Sequence, residues 1–250
     1  MKQKKLLHIS SAAAALILPM NVYADTNAAL SAIEIAATIV SPEITEKTAS
    51  YTTPSMSTAT GFNVSIKETP QSVTVATRER LDDQNLQTLH EVMNNVTGIS
   101  VNQYDSSRHI YTARGFELNN LLIDGIPTMY SGWLEGQEFT DTIMFDRIEV
   151  VRGAVGLLVG EGDPSAAVNM VRKRAKSDKF TGSIEAEYGS WDHYRTTLDV
   201  SAPLTKDGKV RARFVGGYQD NDSFVDLLED TKKIAYLNIE ADLSNRTLFS

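Results

Sequence analysis

FTGSIEAEYGSWDHYRTTLDVSAPLTKDGKVRARFVGGYQD, residues 180–220, decides the fold. Read two residues at a time, it sets Ile184, Ala186 and Tyr188 against Ser183, Glu185 and Glu187. The next run sets Tyr194, Thr196, Leu198 and Val200 against Arg195, Thr197, Asp199 and Ser201; a third sets Val210, Ala212, Phe214 and Tyr218 against Arg211, Arg213 and Gln219. Residues 233–243 repeat the pattern, with Ala235, Leu237, Ile239, Ala241 and Leu243 opposite Tyr236, Asn238, Glu240 and Asp242. Side chains alternate across a strand, so each run is a strand with one apolar and one charged face. Gly189–Asp192 and Pro203–Gly208 supply turns. Strands of this length, with Tyr near their ends and small residues among the outward apolar ones, predict an outer-membrane β-barrel. A water-soluble β-sandwich also alternates and stays as the alternative. Four complete strands, and a start at Thr247, precede Ser250. A barrel needs at least about eight to close, and unpaired edges are costly in lipid. The expectation is therefore a chain truncated after its first barrel strands.

Upstream, residues 61–176 read as a compact α/β unit. Val73-Thr74-Val75 is a short strand, and Thr77–Gln84 and Thr88–Asn94 are short helices, the second with Leu89, Val92 and Met93 on one side. Strands follow at Ile99–Val101, Ile110–Thr112, Asn120–Ile123 and Arg147–Val151, with a turn at Asp124-Gly125. Residues 25–60 are rich in Ala, Ser and Thr and predict a flexible tether. Within it, Ile33–Val40 (IEIAATIV) is β-prone: either plain linker or a strand offered to a partner's sheet edge. Residues 1–24 combine Lys2, Lys4 and Lys5, an apolar stretch over 6–18, and Val22-Tyr23-Ala24. That is a secretory signal peptide, cleaved to leave Asp25 first and exporting the rest.

Composition removes whole classes of function. Of 250 residues, 42% are hydrophobic, which argues against wholesale disorder. The formal net charge is −8, and without the basic first 24 residues it is −11. A chain that acidic is a poor match for nucleic acid. With no Cys there are no disulfides, thiolate zinc sites or Cys nucleophiles, and His8, His90, His109 and His193 are too scattered for a metal centre. The Gly-rich run Gly153–Gly162 lacks a following Gly-Lys-Ser/Thr, and Glu161 and Asp163 would repel phosphate. Neither a Gly-x-Ser-x-Gly nor a His-Glu-x-x-His motif occurs, and the acidic clusters lack calcium-loop spacing. The reading is a non-enzyme with no catalytic residues, no metal ligands and no cofactor.

Several motifs stand in order. They are Glu68–Val75, Asn95–Val101, Ala113-Arg114-Gly115-Phe116, Leu122–Pro127, Asp146–Gly153, Gly156–Gly160 and Asn169-Met170-Val171. Together, over about residues 60–175, they resemble the plug domain of TonB-dependent ferric-siderophore receptors. Departures are Ala154 for a usual Pro, Val159 for an aromatic, and Ser165-Ala166-Ala167 for a Gly-containing turn. The resemblance implies an α+β plug domain followed by the first strands of an outer-membrane antiparallel β-barrel. The domains are then signal peptide 1–24, tether with TonB box 25–60, plug 61–176 and opening barrel strands 177–250. The complete family barrel has about twenty-two strands around its plug. It also implies a monomeric receptor in the Gram-negative outer membrane, with ferric siderophore, TonB and membrane lipid as partners. Iron would arrive only as the chelate, of hydroxamate, coprogen or pyoverdine type. No room remains before Ile33 for the signalling domain some relatives carry.

The same resemblance assigns residues. Thr38, Ile39, Val40 and Ser41 are the TonB box candidates. Arg114 and Arg152 match two plug arginines that pair with barrel glutamates, the alternative being solvated strand ends. Tyr104, Arg108, Tyr130 and Trp133, on the outward loops 103–109 and 128–138, are the substrate-binding candidates. Packing against the barrel wall is the other use for those aromatics.

Overall fold

A computed structural model describes residues 44–59, 64–105, 108–128, 141–153, 164–223, 225–244 and 247–249. All lie within the compact unit Ile39–Ser250. The TonB box candidates 38–41, the signal peptide, Tyr130 and Trp133 fall outside the described residues.

The chain enters as an extended segment that forms β1 (Ser55–Met56), paired antiparallel with β2 (Val64–Ser65). After a 3-10 turn at Ile66–Glu68 come β3 (Ser72–Thr77), α1 (Arg78–Asp83) and α2 (Leu89–Asn94). Short helices need caps, and both have them. The Thr77 hydroxyl accepts the Arg80 amide. Thr88 and Glu91 form a reciprocal capping box at the start of α2. β4 (Ser100–Gln103), β5 (His109–Ala113) and β6 (Phe116–Glu117) make a small antiparallel sheet. β7 (Asn120–Ile123) and β8 (Ile126–Thr128) form a hairpin. Its two loop residues, Asp124 (φ 50°) and Gly125 (φ 80°), have the left-handed backbone that a two-residue hairpin requires. β9 (Phe145–Arg152) and β10 (Ala166–Arg172) complete a five-stranded sheet in the order β3-β9-β10-β7-β8, with only the β10–β7 pair parallel.

One face of that sheet packs Ile148, Val150 and Val168 against Leu81, Leu89, Val92 and Met93 of the helices. The opposite face packs Val75, Leu122, Val151 and Ala167 against Met56 and Ala59. Residues 44–59 are thus bound to the sheet, and the expected flexible tether is corrected over this stretch. Its large apolar residues are few; carboxylates from β9 hold it instead. Asp146 accepts the amides of Thr45 and Glu46 at 2.9–3.0 Å. Glu149, fully buried, accepts the Thr58 amide at 3.0 Å and an Arg147 N–H at 2.7 Å. Ala166 and Ala167, expected in a turn, are buried in β10.

β11 (Thr181–Tyr188), β12 (Tyr194–Pro203), β13 (Val210–Asp222), β14 (Glu229–Ser244) and β15 (Thr247–Phe249) form an antiparallel meander in sequence order. It is open at β11 and β15 and does not close. Its two faces are reversed relative to a water-soluble sheet. Ile184, Leu198, Phe214, Leu237 and Ile239 are exposed, whereas Arg195, Ser201, Gln219 and Glu240 on the other face are buried. A sandwich would bury the apolar row against a second sheet. Here the polar row packs on the α/β unit, so the barrel expectation holds and the sandwich alternative does not.

Candidate functional site

Two features converge at the end of β9. Arg152 is its last residue, and its guanidinium donates to the hydroxyls of Ser72 (3.1 and 2.9 Å) and Thr74 (2.8 Å). Arg114 occupies the β5–β6 turn with a left-handed φ of 56°. Its guanidinium lies over Gly153, where a Cβ would come within 2.9 Å of Nη1. Since that contact is with the movable end of a flexible side chain, it is the φ of 111° that calls for glycine at 153. Burial, and then the neighbouring Arg114 charge, depress the Arg152 pKa. The two cations are neighbours, Arg114 exposed and Arg152 half-buried, and among the described residues neither is paired with a carboxylate. Such a pair is a ready site for acidic groups.

The β4–β5 connection carries two of the expected ligand residues. Tyr104 is 59% exposed. It borders an open cleft of about 480 Å³ lined also by Asn102, Gln103, Ile110, Thr112 and Glu117. Arg108 is on the same connection, but its amide and guanidinium bind Asp105. A ligand would meet Arg108 as one half of that exposed ion pair. Just after this loop, the His109 ring stacks on His90 of α2, with centroids 3.7 Å apart. Burial lowers both imidazole pKa values, and the His90 charge lowers that of His109 further. Among the described residues no group of three or more acidic or imidazole side chains is placed to hold a metal ion.

The sheet's polar face meets the α/β unit through charged networks that sequence reasoning did not single out. Arg195 on β12 makes two bonds to Asp141, at 2.7 and 2.9 Å, and one to Gln219 at 2.8 Å. Arg213 on β13 binds Glu46 and Asp199, and Asp199 also binds Lys173 at 2.9 Å. Arg174 reaches the fully buried Glu240 at 2.6 Å. Neutral contacts join them: the Tyr236 hydroxyl donates to the Lys173 carbonyl and the Ala175 amide to Asn238, both at 2.9 Å. The available signal was the charged row on the inward face of each strand. A buried row of charges needs partners, and alternation shows the row but not the partners.

Comparison with known proteins was made against this geometry. Residues 65–167 match the family described as TonB-dependent Receptor Plug Domain. The chain is 42% identical over 229 residues to the ferripyoverdine receptor of Pseudomonas aeruginosa, covering 89% of this chain and 28% of the relative. The crystal structure of the outer-membrane ferripyoverdine receptor of P. aeruginosa bound to ferripyoverdine superimposes with a TM-score of 0.78 at 44% identity, over 82% of this chain and 27% of that one. The alcaligin outer-membrane receptor FauA of Bordetella pertussis gives 0.75 at 42% identity, over 82% and 35%. The chain spans about 28% of the length of the curated relative.

Proposed function

Starting from a chain that carries a TonB-dependent receptor plug domain and the opening strands of an incomplete β-barrel, we propose that the whole protein imports a ferric siderophore across the outer membrane. The observation that carries this reading is the reversed sheet. Its apolar row faces outward, as lipid requires, and its polar row is occupied by the plug. Arg114, exposed, and Arg152, half-buried, fit the same reading, since two neighbouring like charges disfavour each other until carboxylates reach them. Barrel glutamates from beyond the described residues would be those partners.

The chelate would bind above the plug, against the Tyr104 cleft and the loop carrying Tyr130 and Trp133. Aromatics there give rigid amphipathic surface, and iron held by its chelator needs no protein ligands or cofactor. Thr38-Ile39-Val40-Ser41 would add as a strand to TonB's sheet edge, transmitting force through main-chain hydrogen bonds. A monomeric receptor, exported by a cleaved signal peptide, completes the reading. Ferric pyoverdine is the first substrate to test, because the similar Pseudomonas receptors are named for it. The near-equal likeness to the alcaligin receptor makes ferric alcaligin the comparison.

The test is iron uptake in a Gram-negative host stripped of its own receptors. The full-length protein should import radiolabelled iron from ferric pyoverdine. Ile39→Pro should abolish uptake and leave binding, because proline removes a main-chain donor. Uptake unaffected by Ile39→Pro would remove this handle; absence of binding to either chelate would remove the substrate class.

A further inference from the structure

The most N-terminal described residues carry the strongest anchors of the segment that precedes the plug. Thr45 is 2% exposed. Its amide donates to both Asp146 carboxylate oxygens, and its hydroxyl donates to the Asp146 carbonyl at 2.9 Å while accepting the Arg78 amide at 3.0 Å. The Glu46 amide adds a bond to Asp146 at 3.0 Å, and its carboxylate meets Arg213 in two parallel bonds of 2.6 Å. Two adjacent residues are therefore tied to two different bodies, β9 of the plug and β13 of the barrel sheet. The cluster balances its charge: Glu46 and Asp199 face Arg213 and Lys173, with Lys173 at 4.0 Å from Glu46 and 2.9 Å from Asp199. Deleting the Glu46 charge leaves two buried cations on one carboxylate.

Beyond residue 46 the ties are weaker. The Thr48 hydroxyl bonds the Thr45 carbonyl, the Ser50 carbonyl accepts the Thr77 hydroxyl, and the Tyr51 hydroxyl donates to Asp83 at the surface. The next buried carboxylate anchor is Glu149, at Ser57 and Thr58. A pull arriving from the N-terminal side loads these anchors in series, beginning at Thr45.

We propose that Thr45 and Glu46 form a latch that bears tension applied to the N-terminal segment and couples its release to separation of the plug from β13. The proposal rests on the receptor reading for the source of the pull. Charge-assisted, bidentate bonds are the strong ones, so the latch sets the threshold, and the neutral ties up to residue 56 follow once it opens. While it holds, tension from the N-terminal side does not reach the plug sheet beyond Asp146.

The experiment uses the full-length protein in outer-membrane vesicles, with neither chelate nor TonB present. The chain contains no native cysteine, so Ser55→Cys, at a buried position of the segment between the latch and the Glu149 anchor, reports peeling through maleimide labelling. Glu46→Gln should speed labelling by about tenfold or more, the loss expected for a charged hydrogen-bonded pair. In single-molecule pulling from the N-terminus it should lower the first rupture force and leave later ruptures in place. Thr45→Val, which deletes the hydroxyl bonds and keeps every charge, should shift both readouts the same way by less, and decides the matter if Glu46→Gln does not assemble. Unchanged labelling and first rupture in the assembled variants overturn the latch. Neither readout depends on transport, so loss of uptake in the Ile39→Pro experiment bears on the receptor reading separately.

Discussion

Replacing Asp141 by alanine should loosen the plug from the barrel sheet more than any surface change. The Asp141 and Arg195 side chains are 2% and 6% exposed. The pair makes two bonds, and Asp141 also caps the 3-10 turn Thr142–Met144 by accepting the Ile143 amide at 2.9 Å. Without it, Arg195 keeps one neutral acceptor, Gln219. Leaving a buried charge without its partner costs about 3–5 kcal/mol. Arg195→Met should cost a similar amount by stranding Asp141. The double variant removes both charges together and should cost only about 1 kcal/mol, mainly the lost cap. A cycle of the four proteins, unfolded by urea in lipid vesicles and followed by circular dichroism, should then give a coupling of at least about 5 kcal/mol, because two losses of about 3 kcal/mol or more collapse to one of about 1. Additive single effects, or single variants each costing under about 1 kcal/mol, would refute the claim that this buried pair ties the two bodies together.

Thr88→Ala removes half of the capping box on a six-residue helix and should lower plug stability by about 1 kcal/mol, read as a shift in its urea midpoint. Gly153→Ala forces a φ of 111° on an L side chain and should cost about 1–3 kcal/mol; because the Cβ meets only the movable end of Arg114, Arg114→Ala in the same chain should recover little of it. The stacked imidazoles of His90 and His109 have native pKa values below the ordinary 6.5, so the unfolded chain takes up protons first. Their contribution to stability is then complete above 6.5 and lost as the pH falls through that value toward the native ones, despite partial compensation from Glu91 and Asp105. His109→Phe, which keeps a ring on His90, should flatten the dependence of the plug unfolding midpoint on pH in that range.

Strands whose two faces differ announced themselves. β11 to β14 alternate because one side is apolar and exposed and the other packs on the plug; α1 and α2 have Thr caps, and α2 an apolar stripe. β10 did not, because Ala166 to Met170 is buried on both sides and has no polar row to mark a period. Residues 44–59 were misjudged for the opposite reason. Their ordering comes from backbone amides meeting Asp146 and Glu149, about a hundred residues away, and composition is blind to that. The site divides in the same way. Arg114 and Arg152 were readable from motifs, and the structure brings them together. Asp141–Arg195 and Glu46–Arg213 were not, since charge pairing across 54 or 167 positions is set by topology.

The plug sheet is completed from its middle. β10 lies between β9 and β7, yet it is the last of the five strands to be synthesised. As the chain folds, the facing edges of those two neighbours wait unzipped until Ala166–Arg172 arrives to fill the gap. Closing so late, with Ala167 paired to Asn120 across 47 positions, is the slower kind of assembly. The nascent chain therefore passes through a stage with two adhesive strand borders, immediately before β11 to β15 emerge.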